Sequence, residues 1–323
     1  MTDDDGEDPY EEYAPRIRAD RRGTRPRTKT RPQHLEAVPG FVIAVDRGRY
    51  RSVVDEGLET ERLVTCSRAR ELRKQAIVTI HERATVLRRS ADDSDTVERI
   101  IVANADQLLM VVAAASPEPR LRLIDRYIVA ALDAGLTPLL CITKTDLAPA
   151  DGLRDYANTL GIAVVERSPS NPARDAIVEL LQGHVSVAVG HSGVGKSTLV
   201  NEIVPDAHRA VGDVNEVTGR GRHTSSSSSA LKIPEGGWII DTPGVRSFGL
   251  GHVSSASVIK GFPELLPLVE NCPRACSHTA DTPGCEIEKA LASGDLSGID
   301  AARAQSLQML METLRDAAEH RNY

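Results

Sequence analysis

Aromatic residues are scarce in this chain of 323 residues, at 3% of the composition, which argues against a protein that stacks many bases on its rings. The sequence has no run of about eighteen apolar residues, so we expect no transmembrane helix and no membrane partner. The first residues, MTDDDGEDPYEEY, are acidic and have no apolar stretch, unlike a secretory signal. We therefore expect a cytoplasmic protein.

The net charge of −7 excludes a uniformly basic nucleic-acid binder, but it leaves room for local basic patches. Residues 1–34 are acidic and then basic, with an arginine-rich stretch from Arg16 to Arg31 and no apolar periodicity. This composition predicts a disordered tail. Such a tail either keeps the chain soluble or serves as an electrostatic arm for a phosphate backbone. The excess of arginine over lysine favours the second interpretation.

Residues 35–95 contain several short strand patterns. The segment GFVIAVDRGRYRSVVD alternates apolar and polar residues around a turn at Asp46-Arg47-Gly48, and the segments ERLVTC, QAIVTI and RATVLR follow. Short strands in succession predict a small OB-like β-barrel. Barrels of this kind often bind oligonucleotides, but the barrel alone does not assign that function.

From about Asn104 the pattern changes to apolar strands separated by helices, such as the strand Gln107–Ala115 and the helix Leu121–Gly135. Nearly continuous apolar strands of this type indicate a parallel sheet that is covered on both faces. We therefore predict an α/β domain over residues 96–250.

A phosphate-binding loop (P-loop) pattern, GHSGVGKST, follows the strand VSVAV and opens a helix. Glycines allow several backbone N–H groups to face one phosphate, and the helix N-terminus adds positive potential. Lys196 is predicted to reach the β and γ phosphates, and the Ser197 hydroxyl to bind Mg²⁺. The nucleotide-binding residues of this loop are Gly190, His191, Ser192, Gly193, Val194, Gly195, Lys196, Ser197 and Thr198.

A second phosphate-side element, DTPG, follows the apolar strand GWIID. Asp241 is predicted to hold Mg²⁺ and the Gly244 amide to face the γ-phosphate. The segment VTGRGRHTSSSSSALK, which precedes it, has no periodicity and is interpreted as a loop. We assign Thr224 as a second Mg²⁺ hydroxyl ligand, with Ser225 as the alternative. A low-complexity linker is the competing interpretation, and it is compatible with a switch segment that is ordered only with the γ-phosphate.

The segment TKTD, comprising Thr143, Lys144, Thr145 and Asp146, ends the strand TPLLCIT and matches a guanine-reading motif. Asp146 would accept hydrogen bonds from the guanine N1–H and 2-amino group, a donor pair that adenine lacks. The Lys144 stem would lie over the base, and the Ser168 backbone N–H would meet the guanine oxygen. Here this motif precedes the P-loop. Because such sites form at the carboxyl ends of strands whatever their order, the chain is predicted to be a circularly permuted GTPase.

Three of the five cysteines cluster with a histidine in NCPRACSHTADTPGCEIE. The set Cys272, Cys276, His278 and Cys285 suits one tetrahedral Zn²⁺ per chain, whereas free or disulfide-linked cysteines are the alternative. We predict a helical zinc-binding domain over residues 251–323, whose last helical segment packs on the zinc knuckle. The remaining Cys66 and Cys141 lie in strand patterns and are predicted to be buried.

The P-loop, GRGRHT, DTPGVRSFGL and the cysteine cluster together resemble the ribosome small subunit-dependent GTPase A family (RsgA, YjeQ or EngC), in an actinobacterial-like form. The resemblance covers about residues 36–320. It implies a monomer that binds GTP and GDP and acts in late maturation of the small (30S) ribosomal subunit. It also implies contacts to 16S rRNA from the barrel and the zinc domain, and slow intrinsic hydrolysis that the small subunit accelerates.

Two departures from the family pattern concern binding. Thr143 stands where the base-reading motif usually begins with Asn, so the side chain that braces the loop is shorter and a weaker guanine affinity is expected. The first two cysteines of the cluster are separated by only Pro273, Arg274 and Ala275, one residue fewer than in the family pattern.

The catalytic residues are assigned as Lys196, Thr224 and His223. Val245 occupies the position where many GTPases have Gln, and it cannot polarise water. His223 is the candidate that orients the water, although it could equally contact RNA or have no role. The alternative function is a non-catalytic RNA-binding assembly factor in which the guanine nucleotide is structural.

Overall fold

The computed structural model describes residues 37–46, 49–68, 76–77, 79–89, 99–205, 229–242, 249–250 and 252–320. Residues Val38–Tyr323 form one compact unit. Within the described ranges, no helix has both the length and the apolar character needed to cross a bilayer.

The N-terminal segment consists of short strands, as the alternating patterns predict, and these strands form two small sheets. One sheet has the order β1-β2-β3-β4, and a separate antiparallel pair joins β5 to β6. Their bounds are β1 Gly40–Asp46, β2 Arg49–Val54, β3 Arg62–Arg68, β4 Ala76–Ile77, β5 Val86–Arg89 and β6 Arg99–Ala103. No ladder joins the two sheets in the part of the chain that the structure describes, so closure of a barrel stays a prediction.

The central sheet has the order β11-β12-β10-β7-β8-β9. Its strands are β7 Gln107–Ala113, β8 Thr137–Thr143, β9 Ala163–Glu166, β10 Val185–Val189, β11 Ser229–Lys232 and β12 Trp238–Asp241. The pairs along β12-β10-β7-β8-β9 are parallel, as predicted. Every residue of β7 is buried, which fits its central place and its continuous apolar sequence.

Strand β11 corrects the interpretation of the serine-rich segment as a loop throughout. Its last residues form an antiparallel edge strand, with Ala230 opposite Ile240 and Leu231 opposite Ile239. Ala230 and Leu231 are both buried, so two apolar side chains are enough to fix this end of the segment against the core.

Helices cover both faces of the central sheet. They are α1 Leu121–Asp133, α2 Asp151–Thr159, α3 Arg174–Leu181 and α4 Lys196–Ile203. Alternate residues of β7 enter different cores: Met110 packs with residues of α1 and α2, whereas Val111 packs with residues of α3 and α4. The sheet therefore holds its carboxyl edge rigidly between two apolar layers.

The C-terminal part is helical, as predicted. Its helices are α5 Ser255–Lys260, a 3-10 turn Pro263–Leu265, α6 Leu266–Glu270, α7 Glu286–Ser293 and α8 Gly298–His320. Helix α8 packs on α7, where Gln308 donates a hydrogen bond of 2.7 Å to Glu288, and it also packs on α1 and α5. The final helix thus contacts the element that follows Cys285, and through α1 it reaches the α/β domain as well.

A buried guanidinium on α8 joins this helix to α1 and α2. Arg303 has only 1% of its side chain exposed and forms ion pairs of 2.5 Å with both Asp125 on α1 and Glu264. It also donates 2.8 Å to the hydroxyl of Tyr156 on α2, and its guanidinium lies 4.5 Å from the Phe262 ring centroid. Burial raises the pKa of Asp125, and the charge of Arg303 opposes that rise.

Candidate nucleotide site and metal cluster

The predicted base-reading and phosphate-binding motifs follow strands that lie side by side. Strand β8 ends at Thr143, β10 at Val189 and β12 at Asp241, and β7 lies between β8 and β10. Because these strands are parallel, the loops that follow them meet at one edge of the sheet. The reversed order of the motifs in the sequence is therefore compatible with a single site.

The P-loop requires its glycines for geometric reasons. A Cβ atom on Gly190 would lie 2.6 Å from the Val111 carbonyl oxygen, which is too close for any other residue. Gly193 and Gly195 have φ angles of +82° and +93°, in the left-handed region that favours glycine. Helix α4 begins directly after Gly195, so its N-terminal N–H groups face the loop in the arrangement that binds phosphate.

Thr143 connects the two motifs. Its hydroxyl donates a hydrogen bond of 2.6 Å to the carbonyl oxygen of Val194 in the P-loop. A Cβ atom on Gly195 would lie 3.8 Å from the Thr143 Oγ1 atom. The side chain is 2% exposed, so the contact is shielded from water. The threonine that replaces the usual asparagine therefore still reaches the P-loop, and the expected loss of guanine affinity stays a prediction.

The rest of the TKTD loop is fixed by its neighbours. Lys144 has a φ of +56° and its ammonium group donates to the Ser116 carbonyl. The Thr145 hydroxyl donates a bond of 3.1 Å to the Arg167 carbonyl. Asp146 is exposed at the tip of the loop, where a base can reach its carboxylate.

The Ser168 amide already has a partner. It donates a hydrogen bond of 2.9 Å to the Asn171 carbonyl, and the Ser168 hydroxyl accepts one of 3.1 Å from the Asn171 N–H. The following residue, Pro169, has no N–H to offer in its place. A contact from the Ser168 amide to the guanine oxygen would have to replace the bond to Asn171.

An ion pair that no sequence motif marks holds this guanine-side loop to α4. Arg167 and Glu202 lie 2.5 Å apart, with 6% and 34% of their side chains exposed. Arg174 also donates a hydrogen bond of 3.1 Å to the Glu202 carbonyl. The helix that begins at the P-loop is therefore anchored at its far end to the base-reading side.

Lys196 and Asp241, predicted from separate motifs, form an ion pair. Their side chains are 13% and 28% exposed, so the pair is partly shielded and still accessible. The neighbouring Thr242 donates a bond of 2.8 Å to the Ala188 carbonyl, which fixes the end of β12. Ser197 is exposed in the first turn of α4. The predicted phosphate ligand Lys196 thus lies beside Asp241, one of the predicted Mg²⁺ ligands.

Five residues discussed from the sequence lie outside the described residues: His223, Thr224, its alternative Ser225, Gly244 and Val245. Their assigned roles stay predictions.

The four predicted metal ligands form a tight cluster. Their donor atoms all lie within 4.8 Å of one another. Cys285 Sγ is 4.0 Å from both Cys272 Sγ and His278 Nδ1. In a tetrahedral site with Zn–S bonds of about 2.3 Å, the sulfur atoms would be about 3.8 Å apart, so this set fits. The shorter spacing between the first cysteines is accommodated by a turn in which Ala275 has a φ of +61°.

The electrostatics of this cluster favour a cation. Burial raises the pKa of the Cys276 thiol to about 11, and the neighbouring Cys285 and Cys272 add to the rise. Burial also lowers the pKa of His278, which keeps the imidazole neutral and its nitrogen free to coordinate. The Glu286 N–H donates to Cys272 Sγ at 3.3 Å. These four residues can therefore hold a metal ion, whose charge would stabilise the thiolates.

The other cysteines divide into two types. Cys141 is fully buried, as predicted, whereas Cys66 is only partly buried, so the prediction for Cys66 is wrong. The reason is its place in β3 of the small N-terminal sheet, where Val64 and Cys66 are only half-buried and Leu63, Thr65 and Ser67 are exposed.

A family model described as RsgA GTPase matches residues 80–251, more than half of the chain. The chain belongs to the RsgA GTPase family. A second model, described as 50S ribosome-binding GTPase, matches residues 185–318. The small ribosomal subunit biogenesis GTPase RsgA of Pseudomonas syringae pv. syringae (strain B728a) is 44% identical over 220 residues. That alignment covers 66% of this chain and 63% of the relative, less than two thirds of its length.

Two solved structures share the fold. YjeQ from Thermotoga maritima has a TM-score of 0.61 and 22% identity, covering 85% of this chain and 98% of that one. YloQ, a circularly permuted GTPase, has a TM-score of 0.59 and 23% identity, covering 88% and 98%. The predicted RsgA-type P-loop fold and its circular permutation are therefore confirmed.

Proposed function

We propose that this protein binds GTP with Mg²⁺ and hydrolyses it to GDP and phosphate. The observation that carries the proposal is the hydrogen bond of 2.6 Å between Thr143 and Val194, which joins the base-reading loop to the P-loop. With this contact, a nucleotide whose phosphates lie on the P-loop has its base beside the TKTD loop. Family membership supports the same activity.

The described residues have distinct roles in this proposal. Asp146 accepts hydrogen bonds from the guanine N1–H and 2-amino group, and Lys144 covers the base. Lys196 moves from Asp241 to the β and γ phosphates. Ser197 and Asp241 are placed to hold Mg²⁺, which when bound neutralises charge on the phosphates. The ion pair between Lys196 and Asp241 supports this assignment, because it holds the proposed phosphate ligand and the proposed Mg²⁺ ligand side by side.

Hydrolysis is assigned to residues beyond the described part of the site. We propose that Thr224 completes the Mg²⁺ ligands, that the Gly244 amide faces the γ-phosphate and that His223 orients the water. Val245 cannot polarise water, so we expect slow turnover by the protein alone.

We further propose that the protein acts in the cytoplasm, as a monomer, in late maturation of the small ribosomal subunit. The names of its curated relatives support this partner. Contacts to 16S rRNA are assigned to the N-terminal sheet and the C-terminal cluster, where Arg49 and Arg274 are exposed. We propose zinc as the metal at Cys272, Cys276, His278 and Cys285, because three thiolates and an imidazole suit tetrahedral Zn²⁺.

The test is multiple-turnover phosphate release from GTP and from ATP, with and without purified small subunits. We expect turnover of GTP only, raised by small subunits and abolished by Lys196→Ala. An Asp146→Asn variant should lose turnover of GTP and gain turnover of xanthosine triphosphate, since the amide can donate to the 2-oxo group of xanthine. Binding of GTP without turnover, even with small subunits, would favour the structural-nucleotide alternative instead.

Co-sedimentation identifies the partner. With a non-hydrolysable GTP analogue we expect the protein to pellet with small subunits and not with large ones. Pelleting with large subunits would overturn the proposed partner while leaving GTP hydrolysis intact.

A further inference from the structure

The loop between β2 and β3 presents two carboxylates to the β11–β12 hairpin. Glu56 accepts a hydrogen bond of 2.5 Å from the indole N–H of Trp238 on β12. Glu61 lies 2.5 Å from the ammonium group of Lys232 on β11. Lys232 and Trp238 are directly opposite each other in the hairpin. The β2–β3 loop therefore contacts both residues of one cross-strand pair.

The loop is organised independently of this contact. Asp55 and Gly57 have φ angles of +58° and +77°, and the Leu58 N–H donates 3.0 Å to the Asp55 carbonyl. The Gly57 N–H donates 2.8 Å to Glu61, and this bond, together with Lys232, lowers the pKa of Glu61. The Glu61 carboxylate is therefore a preorganised acceptor on an ordered loop, and little conformational entropy is lost when it meets the hairpin.

The apolar side of the same contact is buried. Trp238 is 5% exposed, and its ring centroid lies 5.1 Å from that of Phe41 on β1. An indole that is buried with its N–H bonded to a carboxylate is fixed in both position and orientation. The N-terminal sheet is thus attached to β12 by a ring contact and a charge-assisted hydrogen bond together.

Strand β12 leads directly from this attachment to the nucleotide site. It begins at Trp238 and ends at Asp241, which contacts Lys196. At about 3.3 Å per residue, three steps along a strand span roughly 10 Å. Strand β11 emerges from the segment that contains Thr224, and its last residue, Lys232, is the one held by Glu61.

We propose that Glu56 and Glu61 are positioning residues for the nucleotide site and act through Trp238 and Lys232. The proposal rests on the GTP binding proposed above. By holding both strands of the hairpin, the two carboxylates fix where Asp241 lies relative to Lys196. Without the two carboxylates the hairpin shifts more freely, so Asp241 binds Mg²⁺ more weakly. Contacts to the base do not change.

The chain offers its own reporter, because Trp238 is its only tryptophan. The experiment measures Trp emission with Mg²⁺–GDP and with a Mg²⁺–GTP analogue, and the Mg²⁺ concentration for half-maximal turnover, in the full-length protein. Glu56→Ala removes the acceptor. Glu56→Gln keeps an oxygen that accepts from the indole, and Glu59→Ala removes an exposed charge from the same loop as a matched control.

We expect Glu56→Ala to red-shift the emission, to abolish its difference between the two nucleotides, and to raise the Mg²⁺ requirement about two- to tenfold. The KM for GTP at saturating Mg²⁺ should stay constant. Glu56→Gln and Glu59→Ala should behave like the parent. A Glu56→Ala protein with parental emission changes and parental Mg²⁺ dependence would overturn the proposal.

Glu61→Gln gives a second test if Glu56→Ala does not fold. Glu61 and Lys232 are both partly exposed, at 31% and 40%, so this change leaves the core intact. It should raise the Mg²⁺ requirement in the same direction, and an unchanged requirement contradicts the positioning role. If the parent itself does not turn over GTP, the proposed function fails instead. The emission response to Mg²⁺–GDP then decides the role of Glu56.

Discussion

The Thr143 hydroxyl donates a hydrogen bond to the Val194 carbonyl, and this one contact joins two motifs through residues that lie 51 positions apart in the chain. Both groups are buried, so losing the donor would leave the carbonyl without a partner in a dry environment. The Thr143 side chain therefore holds the P-loop in position relative to the base-reading loop. Because the contact is buried, water cannot take over the hydrogen bond if the hydroxyl is removed.

Replacing Thr143 by Val should weaken GTP binding about five- to thirtyfold, since the shape is kept and only the hydroxyl is lost, an effect of about 1–2 kcal/mol. Isothermal titration with GDP and GTP measures it. Thr143→Ser keeps the hydroxyl and should bind within about twofold of the parent. Equal affinities for the Val and Ser variants would show that the contact with Val194 is unimportant for binding.

Arg303→Met should lower the free energy of unfolding by about 3–5 kcal/mol, because Asp125 is left buried without its cation. Urea denaturation measures the loss. Arg303→Lys keeps the charge but not the planar fork, so we expect a smaller loss.

The double variant Arg303→Met with Asp125→Asn provides the control for this ion pair. Its loss should be smaller than the sum of the two single losses by at least about 1 kcal/mol, since the two side chains interact directly. Additive losses would mean that the pair is not coupled.

Thiol labelling should report on the metal cluster. The chain has five cysteines, and in the metal-loaded protein we expect rapid reaction of Cys66 alone, since Cys141 is buried and the others are coordinated. A strong chelator should make Cys272, Cys276 and Cys285 reactive, and unfolding should add Cys141. Zinc released on chelation, at one ion per chain, identifies the metal. Rapid labelling of all three cluster cysteines before chelation would contradict metal binding.

Alkaline pH should destabilise the fold through Cys141. Burial raises the pKa of this thiol from 9.0 to about 12. The unfolded chain therefore releases this proton first, and stability that is fully present below pH 9 is lost as the pH rises towards 12. The expected slope from this group is up to about 1.4 kcal/mol per pH unit. Urea titrations from pH 8.5 upwards should show that the free energy of unfolding declines less steeply with pH in Cys141→Ala than in the parent. Equal slopes for the two proteins would argue against a raised pKa of Cys141.

The central sheet could be predicted from the sequence because β7, β8 and β10 are continuous apolar runs that end at recognisable motifs. The metal cluster could be predicted because its four ligands are close in sequence. The edge strand Ser229–Lys232 could not be predicted, because only two apolar residues, Ala230 and Leu231, distinguish it from the loop before it.

Contacts between distant segments could not be predicted from the sequence for a different reason. Arg303 is separated from Asp125 by 178 residues, and Trp238 from Glu56 by 182. A charged residue in an amphipathic helix normally faces solvent, so no local pattern marks Arg303 as buried. The hydrogen bond of Thr143 could not be predicted from the length of its side chain, because it depends on how closely the backbone of the P-loop approaches.

The ion pair of Arg303 also sets an order of events during translation. Asp125 and Tyr156 are synthesised well before the guanidinium that satisfies them. Until α8 has left the exit tunnel, the Asp125 carboxylate has no guanidinium beside it, and burying it without that cation is unfavourable. We therefore expect the face of the α/β domain that carries Asp125 and Tyr156 to pack fully only after α8 has been synthesised.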